Sequence, residues 1–248
     1  MLLIFPFIVY SQDKVTLKVL CYNLRFGELA SLEQLAEFIN QENPDIVALQ
    51  EVDVLTNRTR APQQNGKHFI SELAFRTNMF SLYGKTIPYA GGYYGIGILT
   101  KYPYVSANRI LLPMPDGAKE QRAYLVSEIE LPNHETLTFV CTHLDYTTSA
   151  VRQVQVKAIN DDLLKRNGPI IICGDFNAKP DSKEIVEGMN VWLQATNQDY
   201  TIPAKAPSSK IDYIFCYPKN VWKVIETETP SIQLSDHLPV ISTLELNY

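Results

Sequence analysis

The chain of 248 residues has few cysteines, and their spacing argues against the common zinc sites. Cys21, Cys141, Cys173 and Cys216 lie far apart, with no Cys-x-x-Cys pair and no Cys/His spacing among them. A zinc site is therefore not expected. Each cysteine lies in an apolar run, where Cys usually behaves as a small buried hydrophobic residue, so we expect free buried thiols. If the protein is exported, a disulfide stays open, but the sequence does not indicate its pairing.

Positive charge is also scarce. The chain has 22 Lys and Arg against 27 Asp and Glu, which gives a net charge of −5. Proteins that hold long nucleic acids by neutralising phosphates usually carry a basic stripe, and none is visible here. This counts against a processive nucleic-acid binder and leaves a small phosphoester open as a ligand. A hydrophobic content of 46% is ordinary for a globular protein and sufficient for a sizeable core.

No apolar run is long enough to span a bilayer. The run at residues 2–10 is far shorter than the roughly 20 residues of a transmembrane helix. Its length suits the apolar core of a signal peptide, which predicts a signal-peptide remnant at 1–11 and one domain at 12–248. We therefore expect a secreted or periplasmic monomer without stable membrane insertion. The alternative is an apolar first strand in a cytoplasmic protein.

The rest of the chain alternates apolar strands with a few helices, which predicts a single α/β domain. Ser31 and Gln34 form a capping-box pattern at the start of one helix, and Asn43-Pro44 ends it. A long helix over 151–163 and a short one near 182–187 are also predicted. Strands are predicted at 15–22, 46–49, 95–100, 125–131, 137–141, 170–173, 211–217, 221–227 and 240–246.

Polar residues follow several of these strands directly. Asn23, Glu51, His143 and Asp175 each come after an apolar run, and strand ends are where α/β folds gather catalytic groups. In three cases a cysteine stands two residues earlier, so it shares the same face of the strand. The thiols of these cysteines are expected to pack beneath the polar residues.

These residue types suit the hydrolysis of a phosphate ester, which needs a cation, a base that aims water, and donors to the phosphoryl oxygens. Carboxylate and amide oxygens bind hard ions such as Mg²⁺ or Mn²⁺. Glu51, helped by Asn23 or Asp236, would supply them. Asp175, with Asn177 two residues later, would aim a water and hold a phosphate oxygen.

Two histidines complete the set, because His143 and His237 each lie near an aspartate and would donate to the phosphate. Asp212 is the candidate that orients His237.

Arg58 and Arg122 would reach a substrate phosphate bidentately, or they are surface or ion-pair arginines; both interpretations stay open. Tyrosines among glycines at 87–95 indicate either a stacking or membrane-touching loop or a packed turn.

Seven segments together resemble the endonuclease/exonuclease/phosphatase superfamily of DNase I-like, metal-dependent phosphoesterases. The likeness runs in the order of the family from about residue 15 to the end, and the combination is highly specific. The segments are Tyr22-Asn23-Leu24-Arg25, Leu49-Gln50-Glu51-Val52-Asp53, Gly95-Ile96-Gly97-Ile98-Leu99, Thr142-His143-Leu144-Asp145, Gly174-Asp175-Phe176-Asn177, Ile211-Asp212-Tyr213 and Ser235-Asp236-His237-Leu238-Pro239.

The resemblance implies a four-layer α/β sandwich, with two mixed, mainly antiparallel β-sheets face to face and helices outside. It also implies hydrolysis that depends on Mg²⁺ or Mn²⁺. By this likeness Glu51 would be the main metal ligand with Asn23 nearby, and Asp236 would assist the metal or the leaving group.

The same likeness implies that Asp175 positions or deprotonates the attacking water, while Asn177 and His143 contact the phosphate. His237, oriented by Asp212, would stabilise the phosphoryl group.

The substrate expectation rests on two local differences within the family. Val52-Asp53 after Glu51 replaces the Thr-Lys of the abasic-site nucleases, and His143-Leu-Asp is similar to the sphingomyelinase, inositol-phosphatase and deadenylase branches. These differences argue against a DNA-repair activity. Among phosphoesters we favour a phosphodiester in a nucleic acid, a nucleotide or a phospholipid head group. The alternatives are a phosphomonoesterase acting on a small metabolite such as an inositol phosphate, and a non-catalytic binding module on the same scaffold.

Overall fold

A computed structural model describes residues 14–247 of the chain. The predicted signal-peptide remnant at 1–11 lies outside the described residues. The described part forms four α-helices: α1 (Leu32–Glu42), α2 (Phe69–Thr77), α3 (Ser149–Leu163) and α4 (Lys183–Val186). Its strands are β1 (Val15–Asn23), β2 (Ile46–Val54), β3 (Phe80–Tyr89), β4 (Gly92–Thr100), β5 (Tyr104–Leu111), β6 (Ala123–Glu130), β7 (Thr136–His143), β8 (Ile170–Asp175), β9 (Leu193–Gln194), β10 (Asp212–Tyr217), β11 (Trp222–Glu228) and β12 (Val240–Leu246).

The strands form two six-stranded sheets with the same internal plan. The first has the order β11-β12-β1-β2-β4-β3, and the second has the order β5-β6-β7-β8-β10-β9. In each sheet one central pair is parallel, β1 with β2 and β7 with β8, and the other pairs are antiparallel. A helix joins the members of each parallel pair, as a crossover connection requires. The carboxyl ends of each parallel pair therefore lie at one edge of their sheet.

Three apolar layers hold these elements together. Side chains such as Phe139 fill the space between the two sheets. Phe38 and Phe69 pack α1 and α2 onto the first sheet, and Leu163 and Phe215 belong to the layer between the second sheet and its helices. The order helix, sheet, sheet, helix confirms the predicted four-layer sandwich.

Local signals at α1 match the prediction closely. The Ser31 hydroxyl accepts from the Gln34 backbone N–H, and the Gln34 side chain accepts from the Ser31 N–H, so the capping box is complete. Asn43 adopts a left-handed conformation with φ of 51° and ends the helix before Pro44. None of the helices within residues 14–247 is long and apolar enough to cross a membrane.

Four elements were not among the predicted ones: β3, β5, α2 and the two-residue strand β9. The strand β5 is a mostly exposed edge strand without apolar alternation, and β3 is an edge strand that contains Gly84 and Pro88, residues that argue against a strand in sequence. The helix α2 is short.

The tyrosine segment at 87–95 forms the hairpin between β3 and β4, in which Tyr94 is buried while Tyr89 and Tyr93 are 43% exposed. This geometry fits the packed-turn interpretation.

Candidate active site

The ends of β1, β2, β7 and β8 bring polar residues of both sheets together. The Asn23 side chain joins the sheets, because its Nδ2 lies 3.1 Å from Asp175 Oδ2 and 3.2 Å from Glu51 Oε1. Its Oδ1 accepts a hydrogen bond of 2.9 Å from the Arg25 backbone N–H. In this orientation Asn23 presents its nitrogen to the two carboxylates. A 180° rotation of the amide would present the oxygen that a metal ligand requires.

Glu51 owes its position to a bulge in β2. The pairing with β4 shifts register between Gln50 and Val52, and Glu51 lies between them with φ of 57°. A bulge of this kind redirects one side chain of a strand, which is why bulges are frequent next to active sites. Burial raises the pKa of Glu51, which the hydrogen bond from Asn23 opposes.

Gln50, directly before the bulge, is fully buried among thiols. Its Nε2 lies 3.4 Å from the sulfur of Cys141 and 3.6 Å from that of Cys21, and the Cys21 thiol also lies 3.6 Å from its Oε1. All four cysteines are free and buried, and they belong to the layer between the sheets. The expectation of free buried thiols beneath the polar residues is confirmed. Gln50 was not predicted as part of this arrangement.

Asp175 lies at the centre of the cluster and is almost fully buried. Its Oδ1 accepts a 2.8 Å hydrogen bond from the backbone N–H of Asn177, which has a left-handed φ of 49°. The Asn177 Nδ2 in turn donates to the Leu144 carbonyl at 3.0 Å. Burial and the nearby Asp212 raise the pKa of Asp175 to about 7, against the opposing effect of His237. A base with a pKa near neutrality is well matched to deprotonating water.

His237 is held by the second aspartate. Its Nδ1 lies 2.9 Å and 3.2 Å from the two carboxylate oxygens of Asp212, and its Nε2 lies 3.7 Å from Asp175 Oδ2. Burial alone would lower the pKa of His237, but Asp212 and Asp175 outweigh it and raise the pKa to about 10. The ring is therefore a cation at neutral pH, and the orienting role predicted for Asp212 agrees with this geometry.

His143 approaches Asp175 from the other side, with Nε2 3.5 Å from Asp175 Oδ2. Its Nδ1 lies 3.0 Å from Nη1 of Arg122, which is 4% exposed. Burial, with Arg122 and His237 adding to it, lowers the pKa of His143 well below the ordinary value. Arg122 thus lies in the cluster, where its guanidinium contacts His143 and forms an ion pair with Glu120.

Asp236 lies at the rim of the cluster, where its carboxylate forms an ion pair with Arg25. Arg25 also pairs with Glu28, which pairs with Arg60. A cavity of about 390 Å³ opens beside Asp236 and is lined in part by Arg25, Lys205 and Gln233. Arg25 was not predicted as a site residue, although it stands two positions after Asn23 in a matched segment.

Arg58 lies apart from the cluster formed around Asp175. Its guanidinium forms a partly buried bidentate pair with Asp53, at 2.5 Å and 3.0 Å, and lies 4.1 Å from the ring centres of Phe26 and Tyr89. The Thr56 hydroxyl donates to the same carboxylate at 2.6 Å. This arrangement fits the ion-pair interpretation of Arg58. Its predicted contact with a substrate phosphate stays a prediction.

The donor set around Glu51 fits a hard divalent cation. Glu51 offers carboxylate oxygen and Asn23 offers an amide, which are ligand types that Mg²⁺ and Mn²⁺ accept. Asp175, Asp212 and His237 also offer atoms within 4.8 Å of one another, close enough for a shared cation. Part of that closeness is the hydrogen bond between His237 Nδ1 and Asp212.

The sequence matches the model of the Endonuclease/Exonuclease/phosphatase family over residues 20–237, and the chain belongs to this family. The matched segment includes every residue of the cluster described above.

Solved structures agree with this fold. A family member from Bacteroides thetaiotaomicron superposes with a TM-score of 0.78 at 16% identity, covering 96% of this chain and 97% of the other. An endonuclease/exonuclease/phosphatase from Beutenbergia cavernae gives 0.76 at 21% identity, covering 94% and 72%. A mannosyl-6-phosphatase from Bacteroides thetaiotaomicron gives 0.73 at 17% identity, covering 92% and 99%. At these identities the likeness concerns the fold alone.

Proposed function

We propose that this chain is a phosphoesterase that depends on Mg²⁺ or Mn²⁺ and hydrolyses a phosphodiester. The observation that carries the proposal is the convergence on Asp175 of three donors from different strands and loops. The Asn23 amide and the two Nε2 atoms of His143 and His237 all lie within 3.7 Å of Asp175 Oδ2. In-line attack of water on a phosphoryl group relies on a group that orients the water and on donors that stabilise the phosphoryl charge, and this cluster offers both.

In this proposal each residue has one role. Asp175 receives the proton of the attacking water, and its raised pKa suits that task near neutral pH. His143 and His237 donate to phosphoryl oxygens, where negative charge increases in the transition state. Asn177 contacts the same phosphate. A divalent ion held by Glu51 and Asn23, with assistance from Asp236, would neutralise phosphoryl charge.

The cavity beside Asp236 supports a substrate with a sizeable group on one side of the phosphate. The second candidate function is hydrolysis of a phosphomonoester on a small metabolite. It is favoured by the similar structure of a mannosyl-6-phosphatase, whose fold spans nearly the whole of this chain. The shared core serves both reactions, because each one is an attack on a metal-associated phosphoryl group.

The test is a parallel assay of the full chain with Mg²⁺ and with EDTA. Substrates are bis-p-nitrophenyl phosphate, p-nitrophenyl phosphate, DNA, RNA and sphingomyelin, and Asp175→Asn serves as the inactive reference. We expect turnover of a diester with Mg²⁺ and none with EDTA. Turnover of the monoester alone would select the second candidate. Full activity in EDTA, or no activity on any phosphoester, would overturn the proposal.

A further inference from the structure

Arg122 and His143 form a contact that the proposed mechanism does not explain. Arg122 Nη1 lies 3.0 Å from His143 Nδ1, and both side chains are buried, at 4% and 3% exposure. Arg122 directly precedes β6, and its backbone carbonyl accepts from the Leu112 N–H at 2.8 Å. Its side chain is also paired with Glu120 at 3.1 Å. The guanidinium is therefore fixed against one nitrogen of the imidazole ring.

The chemistry of a guanidinium determines which form of the ring can accept this contact. Arg has five N–H donors, no acceptor, and stays protonated in proteins. The hydrogen bond therefore requires a lone pair on His143 Nδ1, so the ring proton must lie on Nε2. A doubly protonated His143 would set an N–H against the guanidinium in a buried site, where two adjacent cations repel each other and are costly.

The surroundings of the ring favour the same form. The charged groups that face His143 come from three parts of the chain: Arg122 before β6, Asp175 on β8 and His237 before β12. The side chains that contact or approach Arg122 include Glu120, Tyr94, Tyr146, Glu51 and Asp145. Among residues 14–247, Asp175 is the anion in direct contact with the ring, at 3.5 Å from Nε2. A proton on Nε2 points at that carboxylate, while one on Nδ1 would point at a cation.

We propose that Arg122 is a positioning residue that holds His143 as the neutral tautomer protonated on Nε2. His143 then presents an uncharged donor to the phosphoryl oxygens, while His237, paired with Asp212, presents a charged one. A neutral imidazole N–H is a poor acid, so His143 contributes a hydrogen bond and releases no proton to the leaving group. The role of His143 as a donor to the phosphate rests on the proposed function. The tautomer itself can be measured in the protein without substrate.

The tautomer is measured by NMR of the full chain with ¹⁵N-labelled histidine in the presence of Mg²⁺. The chain contains four histidines, His68, His134, His143 and His237, and the signals of His143 are assigned by their loss in His143→Gln. We expect an unprotonated Nδ1 and a protonated Nε2 that do not change across about pH 5 to 8, where an ordinary histidine changes charge. A proton on Nδ1, or titration of the ring within this interval, would overturn the proposal.

Two substitutions at Arg122 separate positioning from simple packing. Arg122→Met removes the donor at similar length, so part of the His143 population is expected to carry its proton on Nδ1. The pKa of His143 is expected to rise, because one of the groups that lower it is gone while burial still lowers it. Arg122→Lys keeps a donor without an acceptor and is expected to restore the Nε2 tautomer. Arg109→Met replaces an exposed arginine in β5 and is the matched control. It should leave the His143 signals unchanged. An unchanged tautomer in folded Arg122→Met would contradict the assignment.

These measurements keep the two proposals apart. The NMR signals are read without turnover, so a failure to hydrolyse any phosphoester would count against the proposed function and leave the tautomer as measured. Conversely, an active enzyme in which His143 is protonated on Nδ1 would retain the proposed function and reject the role of Arg122.

Discussion

His237 Nδ1 lies 2.9 Å from Asp212 Oδ2, and both side chains are buried at the meeting point of the two sheets. Asp212 is the first residue of β10, and it pairs in register with Asp175 on β8. One carboxylate therefore fixes a cationic ring that faces the other carboxylate. A buried charge is tolerated when it is paired and hydrogen-bonded in this way.

The first prediction concerns Asp212→Asn, which should lower kcat by at least about 10²-fold, because it removes the charge that keeps His237 protonated. The alkaline limb of the kcat profile should also move from near pH 10 to lower pH. The pH dependence of kcat measures both effects. Asp161→Asn, an exposed change on α3, is the control and should leave the profile unchanged. An unchanged alkaline limb in Asp212→Asn would contradict this assignment.

The same pair affects stability with a defined sign. The folded pKa of His237, about 10, lies above its ordinary value of 6.5. Its contribution to the free energy of unfolding is therefore fully present below pH 6.5 and is lost as the pH rises through 10. Denaturant unfolding of the wild type should show this loss, and Asp212→Asn should reduce it.

A second prediction concerns the metal. Glu51→Gln should weaken Mg²⁺ binding, because it removes the carboxylate that the bulge in β2 directs into the site. Isothermal titration calorimetry of the two proteins measures the change without any substrate. Glu226→Gln, an exposed carboxylate on β11, is the matched control. Equal Mg²⁺ affinity in Glu51→Gln and the wild type would remove Glu51 from the metal site.

The sequence predicts strands well where both faces are buried. Segment 170–173 is an apolar run with clear ends, and it falls within β8, where every residue is buried. Segment 240–246 coincides with β12, in which Thr243 and Glu245 are only partly buried. Edge strands are harder to predict, because β5 exposes most of its side chains and leaves no apolar pattern. The bulge at Glu51 could not be predicted from the sequence either. Gln50-Glu51-Val52 continues a strand-like pattern, and the left-handed φ of Glu51 arises only in the pairing with β4.

Site residues could be predicted where they stand next to an apolar strand, and their contacts with distant segments could not. Asn23, His143 and Asp175 could be found because each follows an apolar strand. Contacts between distant segments could not, since Arg122 meets His143 only after β6 and β7 pair. The pairing of Asp53 with Arg58 depends on the conformation of the loop after β2, which the hydrophobic periodicity of the sequence does not predict.

A third prediction concerns this loop. Asp53→Asn should lower the free energy of unfolding by about 3 kcal/mol, because it leaves the Arg58 guanidinium without its buried partner. Asp161→Asn, which breaks the exposed pair with Lys157, should change stability little. Urea unfolding compares the two. If Arg58→Met raises KM strongly while stability stays normal, Arg58 contacts substrate instead.

A fourth prediction concerns the thiols. Because Cys21, Cys141, Cys173 and Cys216 are free and buried, a thiol reagent should modify none of them rapidly in the native protein. Under denaturing, non-reducing conditions the same reagent should find four reactive groups. Burial raises the pKa of each thiol, which further slows its reaction. Two reactive groups after denaturation would mean that a disulfide had formed.

The last prediction tests the base. Asp175→Asn keeps the shape of the side chain and can still accept the Asn177 N–H, but it cannot take a proton from water. Loss of a general base typically costs about 10²–10⁴-fold in rate, so kcat should fall by at least about 10²-fold with KM little changed. That pattern marks an interaction made mainly in the transition state. Asp181→Asn, an exposed change six residues further on, is the control. A near-normal kcat in Asp175→Asn would assign the base to another group, even though Asp175 lies at the centre of the cluster.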